Sequence, residues 1–337
     1  MKRNHKTLIS IVSAVILLFL GIAAWLYMAV NSRVCGGQEY TLLIDSDDSP
    51  DSVRTKLRAN ATGWSLLNRV RPIGRLRTGR YVISPDDRLL GIYRRIRNHH
   101  QDPVRLRVPD MRLTSQLPSR LCPHLMMDSL SLANALNDTT LIDSLGFTPQ
   151  TLPAMFLPDT YEVWWDMSPK DFMLRMHREW QRFWNDERRK QASDMGFTPI
   201  EVATLASIVE SETANNGEKA DIAGLYINRL HRDMLLQSDP TVIFAVGDFT
   251  IRRVLHKHLT TDNPYNTYKF PGLPPGPIRI PSIVGLEAVL RYSRHDFIYM
   301  CAKEDFSGTH NFAATYAEHQ KNAQRYVKAL NERGIKK

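Results

Sequence analysis

The sequence predicts an α+β protein in three parts: a single N-terminal transmembrane helix, a small strand–helix–helix–strand unit and a larger mixed α/β domain. Three observations carry this. An uncharged apolar run from about Leu8 to Val30 follows Lys2, Arg3 and Lys6. Beyond it, short strand and helix patterns alternate without internal repeats or low-complexity tracts. Finally, a chain of 337 residues, 43% hydrophobic and 23% charged, is of a size for about two ordered domains.

The apolar run comes first. Crossing a bilayer takes ~20 residues, and this run supplies them. Trp25 and Tyr27 stand near its outer end, where aromatic belts form. The basic residues before it favour a cytoplasmic N-terminus, although Arg33 beyond it weakens the asymmetry. A cleaved signal peptide would have an apolar core of ~7–15 residues and a small-x-small site; this run is longer and has no clear site. The expected division is a cytoplasmic tail over 1–7, a membrane helix over 8–30 and everything after residue 31 outside the cytoplasm. The formal net charge of +9 points to an acidic partner. Outside the cytoplasm that excludes nucleic acid and leaves anionic lipid or an acidic polymer. Cys35, Cys122 and Cys301 are scattered and odd in number, which fits neither a disulfide framework nor a zinc site.

Residues 38–44 read as a strand. Asp45-Ser46-Asp47-Asp48 fails as a calcium loop, because Pro50 and Lys56 stand where an EF-hand needs Gly and Glu. It reads better as a helix start, with Ser49 as cap, Pro50 in the first turn and the helix running towards Asn60. A short helix over 65–70, a turn into a strand over 76–83 and a helix over 86–99 follow. Strand, two helices and strand make one unit over 38–105, and Val104–Val108 opens the domain over 106–337.

In that domain, 130–136 and 142–145 look helical. Ser168-Pro169 starts a strong helix, with Phe172, Met176, Trp180 and Phe183 at helical spacing and Gly196 closing the segment. Trp180 and Trp184 read as packing residues rather than sugar platforms. Thr198-Pro199-Ile200-Glu201 is a capping box, with Phe197 and Val202 as its hydrophobic staple. A helix over 219–230, a stretch rich in Pro, Gly, Asn and Thr over 234–281, a strand over 297–301 and a closing helix over 315–331 complete the chain.

The helix after Thr198 carries the chemistry. Val202, Leu205, Ala206, Val209 and Thr213 share its core face. Glu210 projects beside Ala203, Ala206 and Ser207, and Glu212 flanks the other side. A carboxyl against an apolar helix is poorly solvated and can hold a proton for general acid work. Either glutamate suits that role, and both also read as ordinary helix-edge residues paired with Arg or Lys. No nucleophile elbow, phosphate loop, dinucleotide fingerprint or His-Glu-x-x-His is present, and the His256/His258 pair in a polar loop is not a metal site. Neither a cofactor nor a metal is expected. One protonated carboxyl in a cleft suits glycosidic bond cleavage. Asp159, Asp239 and Glu212 are the available second carboxylates, none an obvious nucleophile. A muramic acid could supply its own 6-hydroxyl and close to a 1,6-anhydro end.

Ser207-Ile208-Val209-Glu210-Ser211-Glu212-Thr213 resembles the active-site motif of the endolytic murein transglycosylases, the MltG or YceG-like family. The family's other motifs stand in its order, Phe156–Tyr161 upstream and Leu225–Leu230, Gln237–Ile243, Tyr265–Tyr268, Gly272–Ile278, His310–Phe312 and Tyr316–His319 downstream. The resemblance implies a single-pass inner-membrane protein with a LysM-like small unit and a YceG-like catalytic domain. It implies internal cleavage of nascent glycan strands to anhydro-muramyl ends, and it selects Glu210 as the acid with Glu212 in support. Gln237, Ser238, Asp239, Tyr265, Asn266 and Thr267 are then expected to hold the glycan, although turn chemistry accounts for them equally. Gly272 to Pro277 reads as a rigid wall; Tyr161 and Trp164 fit sugar stacking or core packing. Implied partners are peptidoglycan strands and inner-membrane lipid, with peptidoglycan synthases as further candidates. Two departures stand out: Pro153-Ala154 near the Phe-Leu-Pro-Asp motif where the family has Glu-Gly, and Ser211 for a common Lys. The rival readings are a muramidase using water and a non-catalytic glycan-binding scaffold.

Overall fold

A computed structural model describes residues 2–333, with side chains from Thr7 onwards. The side chains of the expected cytoplasmic tail before Thr7 lie outside the described residues. The architecture is mixed α+β, and the chain divides into two compact units. The first comprises Met1–Leu106 with His124–Met127 and Glu162–Met167; the second comprises Arg107–Pro123, Asp128–Tyr161 and Ser168–Lys337.

The first unit begins with α1 (Lys2–Val30). Its apolar stretch Thr7–Val30 has 24 residues, about 36 Å at 1.5 Å per residue, enough for a ~30 Å hydrocarbon core. Leu17, Phe19 and Trp25 stand exposed along it. Such a helix is compatible with a membrane anchor. Its last turn is different, because Ala29 is buried. β1 (Tyr40–Ile44), α2 (Pro50–Lys56), α3 (Ala61–Val70), β2 (Gly79–Ile83) and α4 (Leu89–Arg97) follow. β1 and β2 pair antiparallel with Leu42 opposite Tyr81. Alternate residues of both strands point inward, the period of two that a half-buried strand requires. They meet Val53, Leu57, Trp64, Leu89, Ile92 and Tyr93 in one core, where Trp64 stacks edge-on against Tyr93 at 5.2 Å. An added Cβ on Gly63 would stand 2.3 Å from the Ala29 carbonyl oxygen. Glycine there lets α3 touch the backbone of α1.

The Ser49 cap forms, with Ser52 completing a capping box. The helix it starts is shorter than the sequence suggested. It ends at Lys56, Arg58 turns to φ +49°, and Asn60 caps α3 separately. The helix expected over 86–99 likewise starts later, because Ser84 N–H donates to the Asp87 carboxylate and holds a turn there.

The chain leaves the first unit within β3 (Val104–Val108), returns to it at His124–Met127 and enters it again within β4 (Asp159–Val163). The second unit contains α5 (Leu117–Leu121), α6 (Ser129–Asn137), α7 (Thr139–Ser144), α8 (Pro169–Phe183), α9 (Asp186–Asp194), α10 (Pro199–Glu212), α11 (Lys219–Leu230), α12 (Asp239–Val246), α13 (His256–Leu259), α14 (Ile283–Leu290), β5 (Tyr299–Ala302), β6 (His310–Ala313) and α15 (Tyr316–Glu332). β5 and β6 pair antiparallel, Tyr299 opposite Ala313, and α15 packs on them. The segment expected to run to Gly196 as one helix breaks at Trp184, because Asn185 caps a new one by accepting from Arg188 N–H. Trp184 is buried as a packing residue. The Pro- and Gly-rich stretch conceals a helix, α12, which Pro240 opens and Gly247 closes at φ +77°. All three cysteines are free thiols.

Candidate active site

The central element is α10. Thr198 and Glu201 form the capping box the sequence announced: Glu201 N–H donates to Thr198 Oγ1 at 3.2 Å and Thr198 N–H to Glu201 Oε2 at 2.7 Å. Every residue from Val202 to Val209 is buried. The helix therefore has no solvent flank of the kind the wheel suggested, because α11, α12 and α14 all pack against it. Glu210 and Glu212 emerge instead at its C-terminal turn. Carbonyl dipoles make that end negative, so a carboxylate there needs compensation.

Glu210 receives it from two sides. Lys219, the first residue of α11, donates from Nζ to Oε1 at 2.8 Å, with side chains only 3% (Lys219) and 12% (Glu210) exposed. Ser282 donates from Oγ to Oε2 at 2.6 Å while capping α14 through Gly285 N–H at 3.0 Å. The carboxylate thus lies between an ammonium and a helix N-terminus, both favourable to negative charge. Of the two readings the sequence left open, a poorly solvated acid and a glutamate paired with Arg or Lys, the structure shows the pairing, with Lys219 as the partner. Lys219 is itself held in place by its neighbour. Glu218 is buried and accepts from Thr213 Oγ1 at 2.6 Å and His310 N–H at 3.0 Å, with His310 Nδ1 also 3.0 Å away.

Glu212 meets different partners. Its Oε1 accepts from Tyr226 Oη at 2.6 Å and from Ser238 Oγ. Burial raises its carboxyl above the usual carboxylate range, against the pull of those two hydroxyls. Burial and the adjacent Glu212 also push the Tyr226 phenol well up, so Tyr226 stays a neutral donor.

Both glutamates line a cavity of about 490 Å³, together with Lys219, Asp110, Arg112, Arg279, Phe244 and Phe249. Arg279 pairs with Asp110 at 2.9 Å. The six polar residues expected to hold glycan are not on this wall but behind or beside it. Asn266 and Thr267 are fully buried. Asn266 Nδ2 donates to the Leu259 and Thr261 carbonyls at 2.9 and 2.8 Å. Thr267 Oγ1 accepts from Ser238 N–H at 3.0 Å and lies 2.8 Å from Thr241 Oγ1. Asp239 opens α12 and accepts from Tyr268 Oη at 2.7 Å. Tyr265 packs on Phe244 at 4.7 Å. Gln237 is exposed, with φ +51° and its N–H bonded to the Thr267 carbonyl at 3.1 Å. For Asn266 and Thr267 the geometry is that of loop ordering, since their polar groups are spent on their own segment.

Other motif residues act as fasteners. Arg229 donates to the Ile298 and Leu236 carbonyls at 2.7 and 2.8 Å, fixing the loop before Ser238. Ser207 Oγ accepts from Ile278 N–H at 3.0 Å and holds the Pro-rich wall on α10. At Gly276 an added Cβ would stand 2.1 Å from the Gln150 carbonyl oxygen, so only glycine fits. Tyr161 is buried and donates to the Leu157 carbonyl at 2.7 Å, in core packing rather than on a sugar face.

The sequence profile of the YceG-like family matches residues 42–325, most of the chain. The chain belongs to the YceG-like family. Among curated relatives, the endolytic murein transglycosylase of Bacillus subtilis is 41% identical over 130 residues, covering 39% of this chain and 35% of that protein. The protein of the same name from Streptococcus pneumoniae is 33% identical over 135 residues, covering 39% of this chain and 24% of the relative. The matched region thus spans about a third or less of these relatives' lengths. The crystal structure of a yceG-like protein from Listeria monocytogenes aligns with TM-score 0.58 and 25% identity, over 84% of this chain and 98% of that one.

Several residues of this YceG-like site were not singled out from sequence, among them Lys219, Ser282, Arg112 and Phe249. Two carried a signal. A lysine at the first position of a helix opposes the dipole and implies an anionic partner. Ser282 three residues before Gly285, ahead of an apolar run, is a cap pattern.

Proposed function

We propose that this protein is a membrane-anchored endolytic transglycosylase acting on peptidoglycan, with Glu210 as its acid and base. The observation that carries the reading is the seat of Glu210 on the cavity wall between Lys219 Nζ and Ser282 Oγ. The names of the relatives supply the substrate. In the proposed reaction, protonated Glu210 gives its proton to the oxygen between N-acetylmuramic acid and N-acetylglucosamine as that oxygen leaves C1. The muramic 6-hydroxyl attacks C1 and Glu210 takes its proton, closing a 1,6-anhydro ring and regenerating the acid. Lys219 and Ser282 stabilise the carboxylate between the two transfers.

The arrangement favours this route over inverting hydrolysis. An inverting hydrolase needs a base on the opposite face of the sugar from the acid. Glu212 leaves the same helix end as Glu210, and Asp110 is paired with Arg279. Glu212 then supports the wall through Ser238 and Tyr226. Gln237 and Asp239, the exposed members of their group, are left for contacts with the glycan beyond the cavity. The strand–helix–helix–strand part of the first unit, about 38–105, serves as a LysM-like module above the membrane, and the YceG-like domain over 106–337 cuts strands outside the cytoplasm. The basic chain then faces anionic inner-membrane lipid and works beside the synthases that make its substrate.

The test is mass analysis of glycan ends after digestion by the wild type and by Glu210→Gln. We expect anhydro-muramic ends from the wild type and a loss of about 10²–10⁴-fold in the variant, the range for removal of a general acid. Reducing muramic ends would instead establish a muramidase. Undiminished cellular function in a folded Glu210→Gln protein would establish the scaffold reading.

A further inference from the structure

Four of the charged residues lining the cavity form two ion pairs, and Glu212 and Arg112 stand outside them. Lys219 is taken by Glu210 and Arg279 by Asp110. Glu212 is bonded by hydroxyls. Arg112 has no carboxylate partner among the described residues. Its side chain is exposed, and its guanidinium lies over the Phe249 ring at 4.7 Å from the centroid. Phe249 in turn leans on Phe244 at 6.2 Å, and Phe244 on Tyr265 at 4.7 Å. The backbone beneath is fixed too, because Ile280 N–H donates to the Met111 carbonyl at 2.8 Å. A guanidinium stacked on an aromatic face keeps its in-plane N–H donors free, in the fork that matches a carboxylate.

A glycan backbone of N-acetylated sugars offers that fork no anion. The peptide carried by each muramic acid does. We infer that Arg112 is a specificity-determining residue that binds a carboxylate of the peptide on a muramic acid at the cleavage site. The inference rests on the proposed peptidoglycan substrate. Tyr265, expected to touch glycan, then has a different role. It buttresses Phe244 and, through it, the platform that holds Arg112.

Binding measurements in the Glu210→Gln background test this apart from cleavage. The probes are glycan fragments bearing their peptides, the same fragments stripped of peptide, and fragments whose peptide carboxylates are amidated. We expect the peptide-bearing form to bind about fivefold tighter than the other two, the upper end for one exposed ion pair. Adding Arg112→Ala should bring the three affinities together, and Arg112→Lys should restore only part of the difference, since it keeps charge but loses the fork. An unchanged preference in Arg112→Ala, or an equal loss for all three probes, overturns the inference. Glycan ends from the single Glu210→Gln protein judge the cleavage reading separately: anhydro ends persisting there would sink that reading while the affinity comparison still decides on Arg112.

Discussion

Glu210 and Glu212 leave the same helix end, two residues apart, and face one cavity from different surroundings. Around Glu210 the partners are a buried ammonium and a capped helix N-terminus. Around Glu212 they are two neutral hydroxyls in a place that disfavours charge. The terminus of α10 disfavours negative charge at both positions. Their difference therefore comes from α11, α14 and the loop before α12, which bring in Lys219, Ser282 and Ser238. Partner chemistry, and not position on the helix, separates a carboxyl equipped to pass through its charged form from one equipped to hold a wall together.

Removing the ammonium is the strongest way to break this contrast. Lys219→Met leaves the Glu210 carboxylate buried without its counter-ion, which typically costs about 3–5 kcal/mol. Urea unfolding should show that loss, and adding Glu210→Gln should recover most of it. Simple additivity of the two changes would mean that the pair is not coupled. A smaller effect follows at Gly285, where an added Cβ would stand 2.8 Å from Glu210 Oε2. Gly285→Ala should cut the rate of anhydro-end formation about tenfold while α14 gains up to ~1 kcal/mol in helix propensity. A variant losing stability instead would show that Gly285 serves packing rather than the seat of the carboxylate.

The other side of the contrast is read through pH. The folded protein binds the Glu212 proton more tightly than the unfolded chain does. Its contribution is therefore fully present below the ordinary carboxylate range. It is lost as pH rises from there through the raised folded value, at no more than about 1.4 kcal/mol per pH unit. Glu212→Gln, which mimics the protonated form, should remove that slope. Urea midpoints of both proteins across this window should diverge as pH rises, in favour of the variant; parallel curves would mean that Glu212 is not buried against charge.

Much of this was legible in the chain. The capping box at Thr198, the cap at Ser49, the βααβ order and the bounds of α11 were local signals, and each formed as written. Where local signals competed, boundaries moved: Asn185 split a long amphipathic helix, and Pro240 started a helix inside a stretch that reads as loop. Glu210 was visible because acidic residues close an apolar helix. Its partners were not, since Lys219 is 9 and Ser282 72 residues away in sequence, and tertiary packing alone joins them. The same holds for Asn266 and Thr267, whose polarity suggested ligand contact but whose burial gives them to the loop.

The contact between Gly63 and the Ala29 carbonyl has a mechanical consequence. The final turn of α1 is seated in the core unit it leads to, with Leu89 N–H bonded to the Ser32 carbonyl at 2.9 Å just beyond. With α1 in a bilayer as proposed, the helix and the first unit form one lever rather than a tethered pair. Tilting, by which a long apolar helix adapts to a thinner membrane, then swings the unit through the same angle. Bilayer thickness becomes an input that sets where the first unit points.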